Sequence, residues 1–464
     1  MNTTDFASLP LTTEMLANIH ALDYLQMTPI QQHSLPAIIA GQDLLAQAKS
    51  GSGKTAAFAI GLLHNLDVRV YKVQALVLCP TRELADQVSS EIRRLGRAIP
   101  NTKITTLCGG KPISPQVASL EHQPHIVVGT PGRILAHLQK KSLQMEGLKT
   151  LVLDEADRML DMGFHDDIMQ IIKQTPRKRQ TLLFSATYPD GIKSISRAIQ
   201  NRPVDVRVES VHDDQKIRQV FYEIREATRM PTLVALLKHY RPESCIVFCN
   251  TKVQCQLLAD ELRKNGFASL ALHGDLEQKD RDQVLVRFAN RSSPVLIATD
   301  VAARGLDIKD LPAVINYELS PDPDVHIHRI GRTGRADKEG LALSLYTASD
   351  EVRIRAIEAY IDNPVTMAST DSLIPANTET GSKMRTDAAM VTFSISGGRK
   401  DKVRAGDILG ALTANSGLPG TKIGKIDIFE KYAYVAVNAS VARQALKILS
   451  EGKIKGRKFR VAKL

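Results

Sequence analysis

The chain has 464 residues, 43% of them hydrophobic and 24% charged, a globular composition spread over a length that suggests roughly three domains rather than one core. No apolar run is long enough for a membrane-spanning helix, and the start, MNTTDFASLP, has neither the basic nor the apolar region of a signal peptide, so the expectation is a cytoplasmic protein. The formal net charge is +11, and the excess falls after residue 382, where 17 Lys and Arg face 6 Asp and Glu; a compact segment that basic points to a polyanion, nucleic acid first. Cys79, Cys108, Cys245, Cys249 and Cys255 are odd in number and lack both Cys-x-x-Cys spacing and neighbouring histidines, which excludes a disulfide framework or a zinc site as the organising feature.

The first strong signal along the chain is Ala48-Lys-Ser-Gly-Ser-Gly-Lys-Thr55. It lies between the apolar-leaning run Asp43 to Gln47 and the segment Ala56 to Ile60, giving strand, glycine turn and helix, the setting of a phosphate-binding loop. Gly51 and Gly53 let the backbone N–H groups turn inward around a polyphosphate at the positive end of the helix. Lys54 can reach the terminal phosphates, and the Thr55 hydroxyl can hold magnesium. The general pattern has Gly where this chain has Ala48. Apolar strands follow at Ala75–Cys79, Ile126–Gly129, Leu151–Asp154 and Thr181–Phe184, each short and apolar on both faces, as strands of a helix-covered parallel sheet are. Asp154-Glu-Ala-Asp157 closes one of them. At the C-terminal edge of such a sheet its carboxylates come beside the phosphate loop, where Asp154 suits a magnesium ion and Glu155 suits an attacking water. Ser185-Ala-Thr187 ends another buried strand.

The polar stretch Glu209 to Gln215 interrupts this rhythm, which then resumes at Cys245–Cys249, Ser269–Leu272, Val295–Ala298, Val314–Tyr317 and Leu343–Tyr346. The economical reading is an α/β chain with two doubly wound parallel-sheet domains, 1–208 and 217–362, joined by a linker at 209–216. The second domain ends in His328-Arg-Ile-Gly-Arg-Thr-Gly-Arg335. Phosphoryl transfer needs cations on the oxygens that gain charge, and an arginine there is worth about three to five powers of ten in rate. Arg332 and Arg335 are spaced to supply it from the second domain, which makes hydrolysis conditional on domain closure; the alternative is a solvated or RNA-contacting basic loop. Residues 363–386, rich in Ser, Thr, Pro, Asn and Gly, read as a flexible linker. From 387 to 464 the order is strand Met390–Ser396, helix Arg404–Ala414, strands Lys422–Phe429 and Tyr432–Val437, helix Val441–Ser450 and strand Arg457–Ala462, the βαββαβ order of an α+β RNA-recognition motif.

Phe6, Tyr24, Thr28-Pro-Ile-Gln31, the AKSGSGKT loop, Pro80-Thr-Arg-Glu-Leu-Ala85, Gly109-Gly110, Thr130-Pro-Gly-Arg133, Asp154–Asp157, Ser185–Thr187, Ile246–Lys252, Ala298–Asp307 and His328–Arg335 occur in one order over nearly all of the first 362 residues. Together they resemble the DEAD-box RNA helicases, in which the loop typically begins with Ala. The resemblance implies two tandem RecA-like domains, ATP and Mg2+. Gln31 would read the adenine edge within the segment begun by Thr28, with Phe6 stacked on the base; Met27 and Tyr24 stand where many members have Pro and Phe. Ser50, Gly51, Ser52, Gly53, Lys54 and Thr55 would hold the phosphates and, with Asp154, the magnesium. Glu155 would be the base, Gly305 and Asp307 would approach the ribose, and Arg332 and Arg335 would be the arginine fingers. Ser185 and Thr187 would couple the nucleotide state to closure. Arg82, Gly110, Thr130, Arg133, Thr251, Thr299 and Arg304 would line the RNA backbone path, being small, hydroxylated or cationic residues suited to phosphate and 2′-hydroxyl groups.

Such a core is blind to sequence, so selectivity falls to the tail. A DEAD-box core joined to a small RNA-recognition-like domain resembles those bacterial members directed to a hairpin of 23S ribosomal RNA during assembly of the large subunit, which implies ribosomal RNA and its precursor particle as partners and a monomeric enzyme. The alternation in Lys431–Val437 puts Ala433, Val435 and Val437 on the helix-packed face and Tyr432 and Tyr434 on the open one. Those tyrosines either stack bases, at roughly 1–3 kcal/mol each, or are ordinary sheet aromatics. Lys455, Arg457 and Lys458, within Lys453–Arg460, and Lys402, within Arg399–Lys402, are candidates to grip structured RNA by its phosphates. Two other readings share these motifs: an ATP-gated RNA clamp that unwinds nothing, and a general cold-adaptation helicase, whose longer charged extensions are absent from this chain.

Overall fold

The computed structural model describes residues 4–48, 51–110, 112–188, 190–208, 217–303, 308, 310–334, 339–373, 388–414 and 418–464. Their contacts divide them into two compact units, one up to residue 208 and one from 217 onward.

The first unit is built on strands β1 (Leu44–Gln47), β2 (Ala75–Leu78), β3 (Ile104–Leu107), β4 (Ile126–Gly129), β5 (Thr150–Leu153), β6 (Gln180–Ser185) and β7 (Val204–Arg207). They form one sheet in the order β3-β4-β2-β5-β6-β1-β7 with parallel pairing throughout. Successive side chains on a strand point to opposite faces, so each strand feeds two cores. Leu44, Ala46, Val77, Val152, Leu182 and Phe184 join one hydrophobic cluster, while Leu45, Leu76, Leu78, Leu151, Leu153 and Leu183 join the other. Because the strands are parallel, all their C-terminal ends lie along one edge. The strand order divides that edge: the segments after β5, β6 and β1 are neighbours, and so are those after β3, β4 and β2.

The second unit repeats the plan with β8 (Ile217–Glu223), β9 (Cys245–Cys249), β10 (Ser269–Leu272), β11 (Val295–Thr299), β12 (Ala313–Asn316), β13 (Gly340–Tyr346) and β14 (Met367–Ala368), ordered β10-β11-β9-β12-β13-β8-β14 and parallel. The expected linker at 363–386 is corrected here over its first residues. Met367 and Ala368 pair with Phe221 and Tyr222, the Phe221 N–H donates to Thr366 O at 2.8 Å, and Leu373 is buried in the core of this sheet. Composition marks a segment without a core of its own, yet an edge strand needs little more than backbone partners. The linker at 209–216 and residues 374–386 lie outside the described residues.

The tail carries β15 (Met390–Ile395), β16 (Ile423–Ile428), β17 (Ala433–Asn438) and β18 (Val461–Lys463), an antiparallel sheet in the order β16-β17-β15-β18. The helices Ala405–Thr413 and Ala442–Glu451 pack on the face that carries Phe393, Ile395, Ala433, Val435 and Val437. The βαββαβ order is the expected one. Two details differ. The last strand begins at Val461, because Ile454 and Arg457 bond back to each other around Lys455 and Gly456, both at positive φ. The face assigned to Tyr432 and Tyr434 is also not open: Tyr434 is 1% and Thr392 0% exposed. Alternation tells which residues leave the helix-packed face and says nothing of what covers them.

Candidate nucleotide and RNA sites

β1 delivers the chain to the glycine loop. Gly51 and Gly53 have φ of +86° and +99°, the left-handed region that glycine enters without penalty. A Cβ on Gly53 would stand 2.6 Å from Gln31 Nε2 and 2.9 Å from Thr28 Oγ1, so position 53 needs glycine for space as well as for backbone. The helix Lys54–His64 starts immediately after it, with its first N–H groups free to meet an anion. Lys54 is buried and its ammonium donates to Ala48 O at 2.7 Å, which stretches the side chain across the loop. Ala48 itself is buried in the sheet core and its N–H donates to Ser185 O at 3.1 Å. Thr55 is half-buried on the first turn of the helix, and Ser50 lies outside the described residues.

Gln31, 1% exposed, is held from both ends: Thr28 N–H donates to its Oε1 at 2.9 Å, and its Nε2 donates to Gly53 O at 3.2 Å. The segment expected to read the base thus also braces the phosphate loop. Thr28 Oγ1 and Ser52 Oγ are buried without a hydrogen-bond partner; buried hydroxyls are normally satisfied, and a bound polar ligand at the loop accounts for both. Phe6 is buried in the sheet core with its ring edge-on to Tyr24 at 6.5 Å.

β5 and β6 bring the acidic segment and Ser185–Thr187 beside the loop. Asp154 is buried, and burial pushes its carboxyl up to about 7 against the pull of the Lys54 ammonium, with the Glu155 charge adding to the rise. A cation at this carboxylate removes the cost of burying its charge. Among the described residues no cluster of three or more His, Cys, Asp or Glu could enclose a metal, and magnesium characteristically takes one or two protein ligands and completes its shell from substrate phosphates and water. The residues present therefore fit a phosphate-borne magnesium. Glu155 has φ +51°; its Oε2 lies 3.4 Å from Arg158 Nε and makes no hydrogen bond. Asp157 accepts at one oxygen from Ala186 N (3.1 Å), Thr187 N (2.9 Å) and Thr187 Oγ1 (3.0 Å), while Ser185 Oγ donates to Thr187 O at 2.7 Å. Asp157 was not among the expected site residues. Its signal, the fourth place in the acidic segment, was on view but carried no separate function.

The other half of the edge gathers the expected RNA residues of this unit. Arg82, first residue of the helix Arg82–Leu95, lies against Gly109 and Gly110; a Cβ on Gly110, whose φ is +73°, would fall 1.7 Å from Arg82 Nη1. Thr130 is the N-cap of the helix Pro131–Gln139, and Arg133 Nη1 donates to Gln116 Oε1 at 3.3 Å. Gln116 Nε2 in turn donates to Cys108 O at 2.9 Å, which ties the Thr130 segment to the glycine pair. No sequence signal singled out Gln116.

In the second unit Thr251 follows β9 and Thr299 ends β11, two adjacent strands. The Thr251 hydroxyl caps the helix Lys252–Lys264, accepting from Gln254 N at 3.2 Å; Thr299 is buried. Arg332 is half-buried after the helix Pro323–Ile330, its carbonyl accepting from Leu311 N at 3.1 Å. Arg304, Gly305, Asp307 and Arg335 lie outside the described residues. The arginine that organises this unit is Arg329, 1% exposed, a motif member to which no role was assigned. It donates to Asp300 at 2.6 and 2.7 Å, to Glu318 O at 2.6 Å and to Asn250 Oδ1 at 2.9 Å, and stacks over Phe248. It therefore pins the segments after β9, β11 and β12 together.

On the tail, Lys455 Nζ donates to Lys402 O at 2.9 Å, so the two basic loops lie side by side with Lys402, Lys455, Arg457 and Lys458 exposed. Tyr432 is half-buried and stacked on Phe429, centroids 5.4 Å apart.

A phosphate loop, a buried carboxylate and the segment Ser185–Thr187 braced on Asp157, on adjacent strands of a parallel sheet, with a second sheet of the same plan in the chain, define a P-loop ATPase of the RecA class. The DEAD/DEAH box helicase family matches residues 28–195, the helicase conserved C-terminal domain residues 228–337, and the DbpA RNA binding domain residues 392–463. The chain is 52% identical over 451 residues to the ATP-dependent RNA helicase DbpA of Escherichia coli strain K12, covering 97% of both, and 35% identical to DbpA of Bacillus subtilis strain 168, covering 99% of both. Among solved structures, S. cerevisiae Dbp5 bound to RNA and ADP BeF3 superposes with a TM-score of 0.72 at 32% identity, over 80% of this chain and 96% of that one. The chain belongs to the DEAD-box ATP-dependent RNA helicases, as a member of the DbpA type with its own RNA-binding domain. Its activity is that of an RNA helicase and RNA-stimulated ATPase.

Proposed function

We propose that this helicase remodels ribosomal RNA, directed by its tail to a hairpin of 23S RNA in the assembling large subunit, and that it works in the cytoplasm as a monomer. The observation that carries the targeting is the pairing of the Lys402 and Lys455 loops on the tail, a localised cationic grip, on a chain whose core residues for RNA suit only backbone and 2′-hydroxyl groups. That no described helix is long and apolar enough to cross a membrane agrees with the setting.

In this reading Gln31 and Thr28 take the adenine edge, Phe6 its face, and Ser50 to Thr55 the polyphosphate. Thr55 and Asp154 would hold the magnesium ion, which would supply positive charge beside the phosphates. Glu155 takes the proton of the attacking water, its carboxylate held in place by the Arg158 guanidinium 3.4 Å from Oε2. Arg332 and Arg335 supply positive charge, and Gly305 and Asp307 the ribose contacts, once ATP and RNA together bring the second domain over the first. Thr187, anchored on Asp157, and Ser185, which donates to Thr187 O, relay the nucleotide state. Arg82, Gly110, Thr130, Arg133, Thr251, Thr299 and Arg304 hold one RNA strand in a path that duplex RNA cannot follow.

Deleting residues 383–464 tests the targeting: RNA-stimulated ATP hydrolysis should persist while preference for hairpin-bearing ribosomal RNA over unrelated RNA disappears, and an unchanged preference overturns it. Glu155→Gln should keep ATP and RNA binding and lose turnover by roughly two to four powers of ten; near-normal turnover refutes Glu155 as the base.

A further inference from the structure

Behind the residues expected to meet RNA after β3 and β4 lies a chain of polar side chains, Ser142, His137, Gln116 and Arg133. His137, on the helix Pro131–Gln139, is 0% exposed, and a buried imidazole needs partners for both ring nitrogens. Its Nε2 lies 3.1 Å from Gln116 Oε1 and its Nδ1 2.9 Å from Ser142 Oγ. Gln116 is half-buried on the helix Ile113–Leu120, and its surroundings fix which way the amide points. Nε2 donates to Cys108 O at 2.9 Å, so Oε1 faces Arg133 Nη1, which donates to it at 3.3 Å, and His137. An amide oxygen only accepts, so the His137 proton sits on Nε2 and Nδ1 accepts from the Ser142 hydroxyl. Burial, reinforced by the charges of Arg133 and Lys140, lowers His137 from its usual value, which agrees with a ring carrying that single proton.

We propose that Gln116 and His137 are positioning residues for RNA: Gln116 sets the Arg133 guanidinium and the Gly109–Gly110 turn at one fixed spacing, and His137 holds the Gln116 amide in the orientation that does so. The inference rests on the reading that Arg82, Gly110 and Arg133 line the path of the RNA strand. Three physical points carry it. A long cationic side chain that waits in its binding rotamer loses less freedom when a phosphate arrives than one the phosphate must order, and a neutral amide oxygen orders Arg133 without bringing a negative charge to compete with the phosphate. The carbonyl that Gln116 Nε2 anchors belongs to Cys108, immediately before the turn in which Gly110 takes φ +73° and lies against Arg82, so both arginines are referenced to a single carboxamide. A flipped amide would set its NH2 against Arg133 and its oxygen against the Cys108 carbonyl, and the His137 Nε2 proton adds a further donor that only the unflipped amide can accept. Backbone contacts held at a preset spacing select a strand conformation and carry no base information.

The test is binding of a fluorescent oligouridine to the full chain, with a non-hydrolysable ATP analogue present, over a range of salt concentrations. Gln116→Ala should weaken binding by roughly tenfold, the scale of one lost hydrogen bond to a charged group. It should also flatten the slope of log affinity against log salt by about 0.7, the share of one phosphate contact on a single strand, while affinity for the ATP analogue holds. Adding Gln116→Ala to Arg133→Ala should cost little beyond Arg133→Ala alone, because both act through the same contact. His137→Leu should weaken RNA binding as Gln116→Ala does, and His137→Gln, which can place an N–H near the site of Nε2, should restore most of it. Additive losses in the double variant, an unchanged salt slope in Gln116→Ala, equal losses in His137→Leu and His137→Gln, or a parallel loss of ATP-analogue affinity in Gln116→Ala overturns the proposal. Normal RNA binding by Arg133→Ala overturns the reading of the RNA path and the proposal with it. Weak binding by Arg133→Ala beside normal binding by Gln116→Ala keeps that reading and overturns the positioning role alone.

Discussion

Asp157 shows what a single side chain contributes to this machine. Its carboxylate takes three donors from Ala186 and Thr187, so any shift of the acidic segment is felt at Ala186 and Thr187, in the segment proposed to couple nucleotide state to closure. Asp157→Asn removes the charge that the three donors share and sets an NH2 against the Arg158 N–H, which the other carboxylate oxygen now accepts at 3.0 Å. ATP affinity should change little while strand displacement falls by at least about tenfold, roughly 1.4 kcal/mol of lost coupling; equal losses of ATP affinity and unwinding would contradict a relay role. Arg329 is the corresponding residue of the second unit. Removing it leaves the half-buried Asp300 carboxylate without its bidentate partner and the Glu318 carbonyl and Asn250 Oδ1 without their donor, so Arg329→Gln should destabilise that unit by about 3 kcal/mol, read as a lower midpoint of denaturant unfolding. His326 gives a pH signature. Burial, reinforced by the charge of Arg329, lowers it from 6.5 to about 3. A depressed basic group contributes stability that is complete above its unfolded value and lost as pH falls, here by up to about 1.4 kcal/mol per pH unit between 6.5 and 3. Replacing His326 by Gln should flatten that acid limb of the stability curve, and an unchanged slope would contradict a neutral buried imidazole.

At the scale of elements, the strand order sorts function. Segments after β5, β6 and β1 carry expected nucleotide residues, and those after β3, β4 and β2 carry the expected RNA residues of this unit. Much of this was legible in the sequence, because β2, β4, β5 and β6 are short, wholly buried strands with apolar centres, each followed by a distinctive motif. The edge strands β3 and β7 were not, since Thr105, Thr106 and Asp205 face partly into solvent and give no two-faced apolar pattern. Gln116, bridging Arg133 to Cys108, was equally invisible, because a lone Gln on a helix has no signature of its own. The glycine pair gives a local test. Gly110→Ala combines a left-handed φ with a clash on Arg82, so RNA affinity should fall by about tenfold with ATP affinity intact; unchanged RNA binding would remove Arg82 from the RNA path.

At the scale of the whole molecule, the sequence located the basic tail and its βαββαβ order but not the cover on its sheet. Alternation is a property of one strand, whereas the partners of the buried Thr392 are Asn290 and Ser292, 102 and 100 residues earlier in the chain. The resulting account divides the labour between a core that burns ATP on any RNA and a tail whose basic loops choose the RNA. Its most direct test is the RNA concentration dependence of ATP turnover for the unaltered chain and a Lys402→Glu/Lys455→Glu/Arg457→Glu variant, on hairpin-bearing 23S fragments and length-matched unrelated RNA. The account predicts that the unaltered chain reaches half-maximal turnover at roughly tenfold or more lower concentration of the hairpin RNA, and that the variant loses this preference while keeping the same maximal rate. Equal preference in both proteins, or a variant whose maximal rate collapses on every RNA, would contradict it.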